Sequence, residues 1–333
     1  MLSYEKFKEE LVGYMEQEIG GSCQVGIRSI RKANAGVWDA MAVFGKGNTR
    51  DSISPSIYLE PLYHEYKEGA GMQEIAETAA AMYYRGMESA QDAMESMPDI
   101  SSYESCRGRL YFRLVGTERN RHLLGEVPHR EMLDLSLIPY LLVKETGEGA
   151  SSIMVSSSMA GCWGIPAEDV MEQACANAPK ILPVAVSTMQ SVLKQVLGES
   201  ADSPDGRQET IGNIGEPEEF SGIFSDTGRI PGIFIMTNRK GLNGFATILY
   251  PGALKSAADM IGEDLYVMPS SVHEAVLVPA GSFAGESRLA EIVREVNAAC
   301  VAEEETVSDS VYFYDRKEQK LCMAGEEGLC VRL

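Results

Sequence analysis

Leu265-Tyr-Val-Met-Pro-Ser-Ser-Val-His-Glu-Ala-Val-Leu-Val278 decides how this 333-residue chain reads. Leu265–Met268 and Ala275–Val278 are short apolar runs of strand-forming residues, and Pro-Ser-Ser between them is turn chemistry. Two strands therefore follow one another directly. Working outward, strands are predicted at Gly232–Thr237 and Phe245–Leu249, then a helix at Pro251–Ile261. Beyond the quoted stretch lie a helix at Glu286–Cys300 and a hairpin pairing Val311–Tyr314 with Leu321–Met323. Strands that arrive in neighbouring pairs favour mixed, mostly antiparallel sheets with helices packed on one face. The fold class is α+β, not a doubly wound parallel sheet.

The first half of the chain carries the same grammar. Ser3–Ile19 has helical spacing, with Tyr4, Phe7, Leu11, Tyr14 and Met15 on one side and Gly20-Gly21 as its stop. Val25–Ile30 and Val37–Phe44 form a hairpin across Asn34-Ala35-Gly36, and a long helix runs from about Met72 to Met94. Arg109–Val115, Leu133–Val143 and Ser151–Ser157 read as strands. Pro166 begins a helix that Pro179 ends, with Glu168 and Asp169 complementing the positive end of its dipole. A short helix follows at Thr188–Leu197. Residues 198–228 are acidic and glycine-rich with little apolar periodicity, the pattern of a linker or long surface loop. The expected organisation is an N-terminal subdomain over 1–197, the segment 198–228, and a C-terminal subdomain over 229–333.

Composition narrows the function classes. Hydrophobic residues make up 44% and charged residues 23%, enough apolar material for a substantial core. Asp and Glu outnumber Lys and Arg 49 to 29, a formal net charge of −20 that repels phosphate backbones, so nucleic acid is excluded as a general partner. The densest basic cluster, Arg107 to Arg121, alternates with apolar residues and reads as the polar face of a strand and its loop. The first residues show no basic-then-apolar pattern of a signal peptide, and no apolar run is long enough to span a bilayer. The seven cysteines lack a C-x-x-C pair and read as free thiols of a reducing cytoplasm.

The familiar chemical signatures are missing. There is no phosphate loop, no dinucleotide fingerprint, no G-x-S-x-G elbow and no H-E-x-x-H. Four histidines remain: His64, His122, His129 and His273. A short strand at Ser56–Leu59 leads to a helix entry around Pro61; Glu60 and His64, four apart, would share a helix face, but Pro61 between them argues against one helix carrying both. Residues Tyr58 to Tyr66 hold an aromatic cluster, read as a packing seam between a strand and the long helix. Ser271 and His273 sit two apart, the spacing that places side chains on one face of a strand, with Glu274 adjoining. A hydroxyl beside an imidazole suggests a nucleophile and its base. The plainer alternative is a turn whose hydroxyls satisfy backbone groups. Ser270, His129 and Asp134 are the candidate ligand-binding residues. No metal set and no cofactor are read from the sequence.

Ile57–Gly69, Asn120–His129 with Leu133-Asp-Leu135, Ile235-Met-Thr-Asn238 and Met268–Glu274 together resemble an uncharacterised family of unknown function from Gram-positive gut anaerobes. That family commonly has leucine where Met268 stands. The resemblance runs from the first helix to about residue 300 and implies a bacterial cytoplasmic protein built as one family unit. It brings no activity. The expectation is a non-enzymatic binding or regulatory protein acting on a protein partner or a small ligand. The alternative is a hydrolase or metal-dependent enzyme using Ser271, His273 and Glu274.

Overall fold

The structure, a computed structural model, describes residues 1–20, 23–34, 36–45, 55–146, 149–196, 232–282, 286–325 and 328–333. The chain divides into two compact units, Met1–Met97 and Pro98–Leu333.

In the first unit α1 (Tyr4–Ile19) leads into β1 (Cys23–Lys32), β2 (Gly36–Gly45) and β3 (Ile57–Tyr58), then α2 (Leu59–Glu68) and α3 (Met72–Ser96). The three strands form an antiparallel sheet in the order β1-β2-β3. Asn34 turns the hairpin with φ 64, a left-handed conformation that asparagine tolerates better than most residues. Phe7, Leu11 and Met15 recur every fourth residue along α1. They bury against Val25, Met41 and Val43 of the sheet and Leu59, Leu62, Ile75 and Ala79 of the other helices.

Two readings of this region need correction. Pro61 sits inside α2, at its third residue, where an N–H would have no intrahelical acceptor to lose. His64 consequently meets Glu68 (3.4 Å), and Glu60 accepts the Asp39 N–H instead (2.8 Å). The aromatic cluster is indeed a seam, but against α1: the Phe7 ring lies 5.1 Å from Tyr63 and 5.3 Å from Tyr66.

The second unit opens with the short α4 (Tyr103–Cys106), β4 (Leu110–Gly116), the short α5 (Arg121–Leu124), β5 (Arg130–Met132), β6 (Leu135–Thr146) and β7 (Gly149–Met154). These strands make an antiparallel sheet with β4 along one edge of β6 and both β5 and β7 along the other. Pro139, with no N–H to donate, falls where β5 ends and β7 begins. The expected strand through Ser157 stops at Met154. The Ser156 hydroxyl accepts the Met159 N–H (3.1 Å) and caps α6 (Ser157–Trp163), so the serine run is a helix start. Next comes α7 (Ala167–Ile181), packed on β4 through Asn177, whose amide donates to the carbonyls of Arg107 (2.7 Å) and Leu110 (3.0 Å). Pro179 lies within α7 and does not end it: the proline removes only its own donor, and the Leu182 N–H still reaches the Ala178 carbonyl (2.9 Å).

A larger sheet follows from β8 (Val184–Thr188), which the sequence reading missed, α8 (Met189–Val196), β9 (Phe234–Asn238), α9 (Ala253–Ile261), β10 (Leu265–Ser271), β11 (Glu274–Pro279), α10 (Glu286–Cys300), β12 (Tyr312–Asp315), β13 (Lys320–Met323) and β14 (Cys330–Arg332). Its order is β14-β13-β12-β10-β11-β9-β8, every pairing antiparallel. α10 covers Tyr266, Met268 and Val278 with Leu289 and Val293. Leu265 and Val267, on the other face of β10, are fully buried as well. Phe245–Leu249 is a buried 3-10 turn (Gly244–Leu249) and not a strand, since a short apolar run that is buried all round shows no period to distinguish the two.

Residues 198–228 lie outside the described residues. The strand before them, β8, pairs with the strand after them, β9, so the two expected subdomains share one sheet.

The free-thiol reading also needs correction. The β13–β14 register sets Cys322 opposite Cys330, and the two form a disulfide with Cα atoms 4.0 Å apart, while five other cysteines are free. Closing so short a loop contributes about 2–3 kcal/mol in the chain-entropy picture. Reduction, or Cys330→Ser, is expected to lower the urea midpoint and the hydrogen-exchange protection of β13 and β14. Unchanged protection of those amides on reduction would refute a stabilising role for the bond.

Candidate functional site

The turn between β10 and β11 is where the quoted heptapeptide folds. Ser271 pairs with Glu274, leaving Val272 and His273 as the two turn residues, and a bulge precedes them at Pro269–Ser271. The Ser271 hydroxyl accepts the His273 backbone N–H (3.0 Å), while the Ser270 hydroxyl donates to Glu274 Oε1 (3.2 Å). His273 Nδ1 accepts the Asn243 N–H (3.2 Å). That bond places the ring proton on Nε2, which faces Glu305 Oε1 at 3.7 Å. Nδ1 is engaged, Nε2 only lies near a carboxylate, and neither nitrogen is bonded to Ser271.

The turn is seated on the loop after β9. Asn238, 1% exposed, donates its amide to the Leu242 carbonyl (2.7 Å), and its Oδ1 accepts the N–H groups of Lys240 (3.0 Å) and Leu242 (3.4 Å). That side chain shapes the loop so that Asn243 reaches a left-handed φ of 52 and offers its N–H to the imidazole. Thr237 Oγ1 donates to the His273 carbonyl (2.7 Å). Gly244 lies against the same atoms: a Cβ there would come within 2.1 Å of Thr237 Oγ1, 2.5 Å of the His273 carbonyl and 2.8 Å of the Asn238 nitrogen.

Residues 302–312 join this corner to a second one. The Glu305 carbonyl accepts the Val272 N–H (2.8 Å), and the Val307 carbonyl sits where a Cβ on Gly116 would be, 2.4 Å from it. Ser308 then reaches Asp134. Asp134 occupies the tight β5–β6 turn beside Leu133, itself at φ 60. Its Oδ2 accepts the hydroxyls of Ser308 (2.5 Å) and Ser310 (2.9 Å), and its Oδ1 accepts that of Tyr312 (2.7 Å). Burial pushes the Tyr312 phenol well up, and the Asp134 charge adds to it, so the phenol stays a donor. Thr117 and Ser136 hydroxyls pair beside this cage (2.8 Å), and Asn120 donates to the Gly116 carbonyl (2.7 Å).

Among the described residues nine polar side chains are buried, and Thr117, Asn120, Ser136, Asn238, Thr306 and Ser308 stand in these two corners or on the segment that joins them. Sequence reasoning had Ser270, Ser271, His273, Glu274 and Asp134. It missed Asn238 as a loop anchor, and Asn243, Glu305, Ser308, Ser310 and Tyr312 altogether. Glu305 and Ser308 lie in an acidic run that reads as solvated surface, so no sequence signal marks them. His129 is exposed, its Nδ1 bonded to the Val127 carbonyl (3.1 Å), and it joins neither corner by a hydrogen bond or ion pair.

Among the described residues no three His, Cys, Asp or Glu side chains converge as a metal site, and no helix is long and apolar enough to cross a membrane. A cleft of about 430 Å³ opens at the far end of β10, between Asp259, Glu263, Asp264 and Arg316. Arg316 is held there by Asp259 (2.6 Å), the Gly262 carbonyl (2.9 Å) and, through its N–H, Asp264 (2.9 Å).

Fold and site together define an α+β protein of antiparallel sheets whose polar groups gather at two strand turns. Residues 4–316 match a family of unknown function, DUF5688, and the chain belongs to that family. No curated protein and no solved structure matches it.

Proposed function

We propose that the chain is a non-enzymatic binding or regulatory protein of the bacterial cytoplasm, acting through a protein partner or a small ligand held near His273. One observation carries the reading: the polar groups of Ser270–Glu274 are turned to holding the turn itself. Ser271 binds a backbone N–H, Nδ1 of His273 binds another, and Ser270 binds Glu274. A general base needs a free nitrogen within hydrogen-bond reach of the proton it takes, and His273 has none directed at Ser271. What the corner offers outward is the His273–Glu305 pair, with side chains 35% and 45% exposed, a fixed polar edge suited to contact. The cytoplasmic assignment follows the family resemblance, and the Cys322–Cys330 bond is the feature that a reducing compartment would open.

The test is an assay of the purified chain on 4-nitrophenyl acetate and 4-nitrophenyl phosphate, with and without zinc or manganese. Any hydrolysis is expected to be unchanged in Ser271→Ala and in His273→Gln. Hydrolysis abolished by both, in variants that keep the wild-type melting temperature, would replace this reading with the hydrolase or metal-dependent one.

A further inference from the structure

In the basic cluster at Arg107 to Arg121, Arg109 donates to the Val143 carbonyl (3.0 Å) and Arg113 is held by a different set of partners from the rest. Arg107, Arg119 and Arg121 each face a carboxylate, those of Glu104, Asp309 and Glu118. Arg113, in the middle of β4, faces none among the described residues, in a chain with 49 acidic side chains. Its guanidinium carbon instead lies over the Tyr140 ring, 3.9 Å from its centre. Nε and Nη2 both donate to the Tyr111 phenol oxygen (3.0 and 2.7 Å), and Nη2 also donates to the Ser152 hydroxyl. These partners are neutral, so they orient the charge without cancelling it.

A donor count shows what the arrangement lacks. Of five guanidinium N–H groups, Nε–H and the two on Nη2 are used, which leaves the two on Nη1. Ser152 Oγ accepts from Arg113 and from the Tyr111 phenol (3.1 Å), so its own proton remains to be donated. Arg113 and Ser152 are both half-buried, so solvent reaches this part of the sheet. β4, β6 and β7 thus bring the guanidinium and a serine hydroxyl together through the Nη2–Ser152 bond, with no carboxylate on that guanidinium among the described residues. The Tyr140 phenol, pushed up by burial, stays neutral and cannot supply the missing anion.

We propose that Arg113 and Ser152, framed by Tyr111 and Tyr140, form a binding site for an oxyanion, the phosphate or carboxylate group of a small ligand. A planar guanidinium held by these contacts has lost its rotamer freedom before the ligand arrives, and this favours charge-assisted bonds to such a group. The site is separate from the His273 corner and stands or falls independently of the reading given there.

The experiment is isothermal titration of the full chain with inorganic phosphate and, separately, with succinate, at low ionic strength and with sodium chloride as the control. Saturable binding of either anion is expected, weakened about tenfold or more in Arg113→Gln. Ser152→Ala, which leaves the arginine in place, is expected to weaken it by a smaller factor. Phosphate alone would assign a phosphorylated ligand, and succinate alone a carboxylate. If neither anion binds the wild-type chain beyond the chloride control, the proposal is wrong. It is equally wrong if Arg113→Gln and Ser152→Ala, folded by melting temperature, bind like wild type. Should Arg113→Gln fail to fold, Ser152→Ala decides alone.

Discussion

Asp134→Ala is expected to lower the stability of the Pro98–Leu333 unit by about 3–5 kcal/mol, among the largest effects of any single substitution in this chain. The carboxylate accepts three hydroxyl protons, from Ser308, Ser310 and Tyr312. Removing it takes away the shared acceptor of the fully buried Tyr312 phenol and the buried Ser308 hydroxyl, and a bond between those two hydroxyls satisfies only one of their protons. Each unmet buried donor costs about 1–3 kcal/mol, and bonds to a charged group sit at the upper end. The loss also has a topological consequence. Asp134 belongs to the four-stranded sheet and Tyr312 to the seven-stranded one, so the cage ties the two sheets together. Asp134→Asn is expected to cost less, because its carbonyl still accepts and hydroxyls can rotate. Ser310→Ala, which removes one donor and leaves the carboxylate satisfied, should cost about 1 kcal/mol. Urea midpoints of the three variants provide the measurement. Equal losses for Asp134→Ala and Ser310→Ala would show that the cage is not cooperative.

How far the sequence reveals this architecture depends on where the information sits. α1, the β1–β2 hairpin, α10 and the β12–β13 hairpin follow from local periodicity and turn residues, and the expected spans lie within a few residues of the observed ones. The misreadings have a common cause. Phe245–Leu249 is apolar because it is buried, and the burial comes from the rest of the fold, so the run cannot announce its own backbone conformation. Pro61 lies in a first turn, where the N–H has no intrahelical acceptor to lose, whereas Pro179 forfeits one bond near the end of α7 and the helix still runs two residues past it. β8 and β14 were missed as strands for want of a marked alternation, and it is pairing with β9 and β13 that defines them.

The candidate site was legible only in part for a related reason. Ser271 and His273 suggest chemistry by spacing, but spacing does not say which way a hydroxyl points. In the structure the serine turns to a backbone N–H and the imidazole is held by Asn243, thirty residues earlier in the chain. Asp134 was singled out beside His129, whereas its partners come from 174 to 178 residues further on. Convergence over such separations is a property of topology, and neither motif nor composition carries it. Arg113 is the reverse case. Its alternation with apolar residues placed it correctly on a strand face, and what spacing could not show is its seat over the Tyr140 ring.

Gly244→Ala is expected to cost about 3 kcal/mol, at the upper end for an added methyl group in a packed interior. Of the three atoms its Cβ would meet, the His273 carbonyl and the Asn238 nitrogen are backbone, at 2.5 and 2.8 Å, so neither can swing aside. The third, Thr237 Oγ1, could rotate, but only by giving up its bond to the His273 carbonyl. Relief therefore requires the loop after β9 to part from the β10–β11 turn. That parting would free the Asn243 N–H from His273 and the Phe245 N–H from the Val272 carbonyl. Gly252→Ala is the matching control. Its φ of 73 strains an alanine while nothing lies within 4 Å of the new methyl, so about 1 kcal/mol is expected from the backbone alone. Urea midpoints compare the two, and hydrogen exchange at Asn243 and Phe245 reports whether the corner has opened. A Gly244→Ala loss no larger than that of Gly252→Ala, with Asn243 still protected, would mean that the corner yields easily. His273 would then have freedom to leave Asn243 and take a proton, and the case for a turn built only to hold its own shape would lose its main physical support.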